Sequence, residues 1–284
     1  MGIKALLREL DLRPHKELGQ NFLVDRHVLK QILSAAEVGP ADTVLEIGSG
    51  LGTLTEALAK CVHRVIAVEV DQNLVTALQK RLAHFANVEI VPADILSVDI
   101  SRLLQEKDTG NVVAYKVVAN IPYYITSAVM RHLLETAPRP ELIVLMLQRE
   151  VAQRITAQPG QMSLLAVSVQ FYGRPRIIAR VPASAFYPVP KVDSAIVRID
   201  PHEQQPLAQD EVAAFFDVVR AGFAQRRKQL RNALIHGLGL PAEQVIQAMK
   251  RAGIDEQRRA QTLSISEWLT LYRALGGKVD PSAG

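Results

Sequence analysis

The sequence predicts an α/β protein: a parallel sheet covered by helices on both faces, followed by a small all-α domain. Three observations carry this. From residue 43 to 148, short apolar runs alternate with amphipathic stretches, as expected for strands buried on both faces and joined by crossover helices. The first run opens into a glycine-rich turn, Gly48-Ser49-Gly50-Leu51-Gly52, and then into a helical stretch. Past the proline-bounded polar segment 201–206, a break typical of a domain boundary, the periodicity is helical.

Length and composition set the bounds. With 284 residues, 48% of them hydrophobic, the chain has material for one large domain and a small one. Its single cysteine, Cys61, excludes an internal disulfide and fits a reducing compartment. No run approaches the ~18 apolar residues of a membrane span. The first 13 residues mix charge with leucine instead of forming a signal-peptide core. A cytoplasmic protein with no membrane partner is expected. The net charge of +4 is only modestly basic, so its distribution matters more than its size.

In order, residues 1–16 read as a basic, partly helical arm. Residues 16–24 lack periodicity and read as a surface loop stapled by Phe22 and Leu23 to the next helix. Asp25 is a good N-cap for that helix, which runs to about residue 37. Strands are expected at 43–47, 64–69, 88–91, 113–119 and 141–147, with helices at 53–60, 72–84 and 125–135. Two helical segments follow residue 148. Strands at 176–181 and 192–199, joined by a loop with Pro182, Pro188 and Pro190, read as an antiparallel pair that finishes the sheet. The helical domain should contain helices at 208–224, 227–236, 241–251 and 265–275, with 276–284 frayed. The division is therefore 1–200 and 207–276. There is no internal repeat.

In an open α/β sheet, ligands bind beyond the carboxyl ends of the strands. Glycines at 48 and 50 let the chain turn sharply and leave room for a ligand against the backbone, facing a helix N-terminus. The next strand ends in Glu69, about 20 residues on, where a carboxylate can bind ribose hydroxyls. A G-x-G-x-x-G loop would cradle a pyrophosphate; here the spacing is G-x-G-x-G behind Glu46, an acid that repels phosphate. An acid at that point suits a ligand with a cationic end, such as S-adenosylmethionine. The stretch resembles the loop of Rossmann-like, S-adenosylmethionine-dependent methyltransferases. Asp94, after the third strand, could accept from the adenine amino group, and reads equally as a turn or N-cap aspartate.

The fourth strand ends in Asn120-Ile121-Pro122-Tyr123. An exocyclic adenine amine is a poor nucleophile because its lone pair is delocalised into the ring. An amide oxygen from Asn120 and the Pro122 carbonyl could take both N–H protons and release that lone pair. Tyr123 offers a ring face to a flipped base. Phe186, in Phe186-Tyr187-Pro188-Val189-Pro190-Lys191-Val192-Asp193-Ser194, could stack on the other face, or simply pack in a hairpin loop. Arg174, Arg176, Arg180 and Lys191 have no acid among them and suit a phosphate backbone. Arg226, Arg227, Lys228 and Arg231 form the sharpest basic run. If one helix continues through it, Arg220, Arg227 and Arg231 align beside Val219, Phe223 and Leu230. A solvated helix face is the bland reading; the lack of acids from 218 to 242 favours RNA.

Taken in order, Lys16–Leu23, the 44–55 glycine loop, Asn120–Tyr123, Phe186–Ser194 and Phe223–Asn232 resemble the small-subunit ribosomal RNA adenine N6,N6-dimethyltransferases, over roughly residues 15–275. The resemblance implies S-adenosylmethionine contacts at Asn21, Leu23, Gly48, Glu69, Asp94 and Asn120, and makes Phe22 part of a lid. It implies dimethylation of two adjacent adenosines in the 3′-terminal hairpin of 16S rRNA in the assembling 30S subunit. A monomer with no metal partner is expected. Ile121 departs from the commoner leucine and is shared with the erythromycin-resistance methyltransferases, which act on 23S rRNA. A non-catalytic assembly factor on this fold is the remaining alternative, against which the intact glycine loop, Glu69, Asp94 and Asn120 argue.

Overall fold

The computed structural model describes residues 3–9, 14, 19–105, 110–121, 125–225 and 227–277. Helix α1 (Ile3–Glu9) and the two-residue strand β1 (Phe22–Leu23) precede α2 (Arg26–Ala36). Then β2 (Thr43–Ile47), α3 (Thr53–Ala59), β3 (Arg64–Glu69), α4 (Gln72–Leu82) and β4 (Val88–Pro92) alternate. After α5 (Ile100–Leu103) come β5 (Lys116–Asn120), α6 (Thr126–Glu135) and β6 (Leu142–Gln148). Helices α7 (Arg149–Ile155) and α8 (Leu164–Tyr172) lead to β7 (Gly173–Val181), β8 (Phe186–Tyr187) and β9 (Ser194–Pro201). Helices α9 (Val212–Phe223), α10 (Leu230–Leu238), α11 (Ala242–Arg251) and α12 (Ile265–Ala274) complete the described chain. None of its helices is long and apolar enough to cross a membrane.

Seven strands form one sheet in the order β4-β3-β2-β5-β6-β9-β7. The first five are parallel, and β9 runs antiparallel to β6 with Ile143 opposite Ile199 and Gln148 opposite Ser194. The apolar runs have this length because helices cover both faces: every residue of β2 is buried, and so is all of β6 but its last. Leu45, Ile66, Val117 and Leu145 are fully buried at the sheet centre, each contributing about 1.5–3 kcal/mol of transfer free energy. Asp25 caps α2 as expected, accepting from the backbone of His27 and Val28. The last strand in sequence lies inside the sheet and β7 takes the edge, so these two finish the sheet in reverse chain order.

Contacts divide the chain into residues 1–152 with 174–201 and residues 153–173 with 202–284. The helical unit therefore includes α8, which the sequence reading assigned to the first domain. The cause is the apolar character of α8: Ala166, Val167, Val169, Phe171 and Tyr172 are all buried. Phe171 stacks on Phe215 with centroids 4.9 Å apart and meets Phe216 edge-on at 5.3 Å.

The basic run is not one helix. It ends at Phe223 and resumes at Leu230. Tertiary packing overrides helical propensity here, because the Leu230 N–H donates to the carbonyl of Arg258 (2.8 Å) and its side chain is fully buried. Gly222 makes room for this: a Cβ there would stand 2.4 Å from Trp268 and 3.0 Å from Leu230. Helix α12 starts with a reciprocal capping box, Ser264 with Glu267. Arg258 also binds Glu267 and, as the main cause, lowers the carboxyl to about 2.

Candidate active site

In the sheet order, β3 and β4 lie on one side of β2 while β5 and β6 lie on the other. The carboxyl ends of β2 and β5 therefore border the crevice where such folds bind ligands. A cavity opens there, bordered by the glycine loop, Glu46, Glu69, Asp94 and Asn120. Gly50 sits at φ 58° and a Cβ on it would come 3.2 Å from the Phe22 ring. Gly52, at φ 77°, is the N-cap of α3, and its missing Cβ would lie 2.7 Å from Leu78. Both positions need glycine for space as well as for conformation.

Residues 19–23 form the roof of this cavity, where periodicity alone predicts a surface loop. Gln20 Nε2 donates to Asp71 Oδ2 (2.8 Å), Asn21 Nδ2 to the Gly19 carbonyl (2.9 Å), and Asn120 Nδ2 to the Asn21 carbonyl (3.2 Å). Strand β1 pairs antiparallel with β8, Phe22 opposite Tyr187 and Leu23 opposite Phe186. Leu23 does share a core cluster with Val28 and Ile32 of α2, so the staple reading holds for it. Phe22 packs instead with Leu51 and Leu74, which supports the lid reading. The Gln20–Asp71 strap and the apolar walls Leu74 and Ile95 had no signal in the sequence beyond their closeness to Glu69 and Asp94.

Glu69 is 6% exposed. Its carboxylate accepts from the backbone N–H groups of Gly50 (2.9 Å), Val70 (3.0 Å) and Asp71 (3.0 Å). Burial raises its pKa, and those three donors oppose the rise. It thus fixes the glycine loop while bordering the cavity. Glu46 is only 1% exposed. Burial pushes its carboxyl up to about 7, with the Ser49 and Thr55 hydroxyls pulling the other way and the Glu69 charge adding a smaller rise. Even so, Glu46 Oε2, Ser49 Oγ and Thr55 Oγ1 close no hydrogen bond of ordinary geometry. A buried acid with an idle oxygen beside a cavity calls for a hydrogen-donating or cationic partner there, a role a water or a ligand can fill. Asp94 lies at the exposed rim, where it caps a short turn by accepting from Leu96 N–H (3.0 Å). These residues fit a nucleoside with a positively charged end.

Asn120 ends β5 at the opposite wall. Only nitrogen can donate to the Asn21 carbonyl, so this bond leaves the amide oxygen of Asn120 as an acceptor with no hydrogen-bond partner among the described residues. Pro122 and Tyr123 lie outside the described residues. Phe186 differs from expectation: its ring is 2% exposed and belongs to the main core cluster, so no open face is left for a base. Pairing with Leu23 draws it inward, in keeping with the packed-loop reading.

The basic residues also need correction. Arg176 is opposed across the sheet by Asp200 at 2.8 Å, Arg220 by Asp217 at 2.6 Å and Arg231 by Glu256 at 2.9 Å. Asp200 comes from a neighbouring strand and Glu256 from a distant turn, which a local window of sequence cannot reveal, whereas Asp217 stands one turn before Arg220 in α9. Arg174, Lys191, Arg227 and Lys228 are exposed, and Arg226 lies outside the described residues.

A profile of ribosomal RNA adenine dimethylases matches residues 12–276. "Ribosomal RNA small subunit methyltransferase A" of a Dehalococcoides mccartyi strain is 48% identical over 94% of this chain and 90% of its own length. The protein of that name from Moorella thermoacetica is 44% identical over 95% and 96%. Among solved structures, a dimethyladenosine transferase from Plasmodium falciparum superposes with a TM-score of 0.76 at 25% identity, over 90% of this chain and 98% of that one. The 23S rRNA methyltransferase ErmE superposes at 0.72 and 30% identity, over 90% and 99%.

Proposed function

The chain belongs to the ribosomal RNA adenine dimethylase family, and from that premise we propose that it dimethylates the N6 amines of two adjacent adenosines in the 3′-terminal hairpin of 16S rRNA. It would act as a monomer on the assembling 30S subunit. It is an S-adenosylmethionine-dependent methyltransferase. When bound, that cofactor supplies an electrophilic methyl group on a sulfonium. The observation that carries the chemistry is the amide of Asn120, whose nitrogen is committed to Asn21 and whose oxygen, at the tip of β5, has no partner among the described residues. That oxygen can accept a hydrogen bond from one amine N–H and leave the nitrogen lone pair less committed to the ring. Glu69 binds ribose hydroxyls, Asp94 stands at the rim for the adenine amino group, and Glu46 faces the cationic end. The Phe22 roof limits access of water.

Preference for the small subunit rests on the relatives at 44–48% identity. ErmE, at 30%, and Ile121 favour 23S rRNA as the second reading. Labelled methyl transfer to unmethylated 30S and 50S particles, with the product nucleoside identified, decides between them. N6,N6-dimethyladenosine in 30S is expected, and label confined to 50S would overturn the assignment.

Glu69→Ala should weaken S-adenosylhomocysteine binding by about 2–3 kcal/mol, the scale of lost charge-assisted hydrogen bonds. Calorimetry on a folded variant checks this, and unchanged affinity would remove Glu69 from the site. Replacing Arg227 and Lys228 together with alanine should weaken RNA binding regardless of sequence and lower its salt slope by roughly 1–2. Cofactor affinity should stay constant. An unaltered slope would leave the pair as solvated surface.

A further inference from the structure

We propose that the helical unit contains a second binding site, a pocket that receives one unstacked nucleotide of the RNA. The inference rests on the RNA substrate proposed above. The cavity, open to solvent, has a volume of about 230 Å³, many times the ~10–15 Å³ that one water needs, which leaves room for a planar ring. Arg154, Ser163, Arg220, Phe223, Gln225 and Gln261 line it, all from the helical unit.

The chemistry of this lining is that of a nucleotide site. No carboxylate lines the cavity among the described residues. Arg220 is half neutralised by Asp217 (2.6 Å), whereas Arg154 contacts only the Ser163 hydroxyl (3.3 Å) and has no acidic partner among the described residues. A guanidinium so placed is suited to a phosphate. Phe223 is half-buried, held near Trp268 with ring centroids 5.7 Å apart, and offers an aromatic surface to the cavity. Stacking on such a ring accepts any base. The amides of Gln225 and Gln261 each carry donors and an acceptor, and neither side chain has a partner among the described residues. The backbone of Gln261 is fixed, its carbonyl accepting from Gly160 (2.8 Å) and Met162 (3.1 Å). Arg227 and Lys228 follow Gln225 in the same turn, so a strand held by them runs past the opening. A cation, an aromatic face and two unused amides around one cavity meet the needs of phosphate, base plane and base edge.

The chain has one tryptophan, Trp268, fully buried beside Phe223, and its emission reports on the pocket. The full-length protein is titrated with a uridine hexanucleotide, with adenosine and uridine monophosphates, and with inorganic phosphate. The hexanucleotide should change Trp268 emission saturably, at lower concentration than either monophosphate, and phosphate alone should not. Arg154→Gln and Gln225→Ala should each weaken that response roughly 3- to 10-fold, as for one lost polar partner, with melting temperature and cofactor affinity unchanged. The Arg227/Lys228 double variant should bind more weakly yet reach the same emission change at saturation. A response only to free monophosphates, no response at all, or wild-type affinity in both Arg154→Gln and Gln225→Ala would overturn the proposal. The titration needs no methylation. A positive result without methyl transfer to 30S would therefore count against the proposed reaction alone, and normal transfer with a silent titration against the pocket alone.

Discussion

Asn120→Ala is expected to slow methyl transfer by roughly 10²–10³-fold, the usual cost of removing one preorganised polar group from a reacting centre. The amide oxygen accepts an N–H whose acidity grows as the amine becomes cationic, so the hydrogen bond strengthens toward the transition state and acts on turnover more than on binding. The structure adds a second consequence. The variant also loses the bond from Asn120 Nδ2 to the Asn21 carbonyl, one of the ties of the roof, so cofactor affinity should fall modestly. RNA affinity should not, because the basic surfaces supply it. Asn120→Asp keeps an acceptor but cannot donate to Asn21, and separates the two roles. Single-turnover transfer at saturating RNA and cofactor measures the chemical step; a normal rate in Asn120→Ala would reduce the residue to a turn former.

Glu46→Gln should stabilise the free protein at pH 8 by about 3 kcal/mol while weakening cofactor binding. The carboxyl titrates near 7 in the fold against an ordinary 4.5, and that gap corresponds to about 3 kcal/mol. Because the folded value is the higher one, the folded state holds the extra proton between about pH 4.5 and 7. Stability is therefore greatest below that window and is lost as pH rises through it. Glutamine abolishes this loss. The ionised acid attracts a cationic ligand, so S-adenosylmethionine affinity in the wild type should rise with pH across 7 and flatten in the variant. Thermal melts and calorimetry from pH 5 to 8.5 check both halves; equal pH slopes in the two proteins would show that Glu46 does not titrate there.

Strands β2 and β3 were legible to the residue because a continuous apolar run meets a glycine in one case and an acid in the other. Strand β5 starts three residues later than its apolar run, since Val113 is drawn off to bond the Leu104 carbonyl. That the glycine loop, Glu69, Asp94 and Asn120 would border one cavity was legible for a related reason: each sits at or just past a strand end, where chain order predicts position. What could not be read depended on distant partners. Asp200 and Glu256 neutralise arginines that look unopposed locally, Leu23 draws Phe186 inward, and Arg258 breaks the basic helix by binding Leu230.

The pairing of β1 with β8 joins the pocket roof to the loop that carries Phe186 and Tyr187, yet it spans only two residue pairs, extended by Val24 N–H to the Ala185 carbonyl (2.9 Å). At about 1 kcal/mol per hydrogen bond the ladder itself is weak, and the buried side chains of Phe22, Leu23 and Phe186 supply most of its hold. Dimethylating one amine uses two methyl donors, and two adjacent adenosines use four, so spent cofactor must be exchanged repeatedly. This short latch on one side of the pocket is where such an exchange is expected to open, with the seven-stranded sheet left folded.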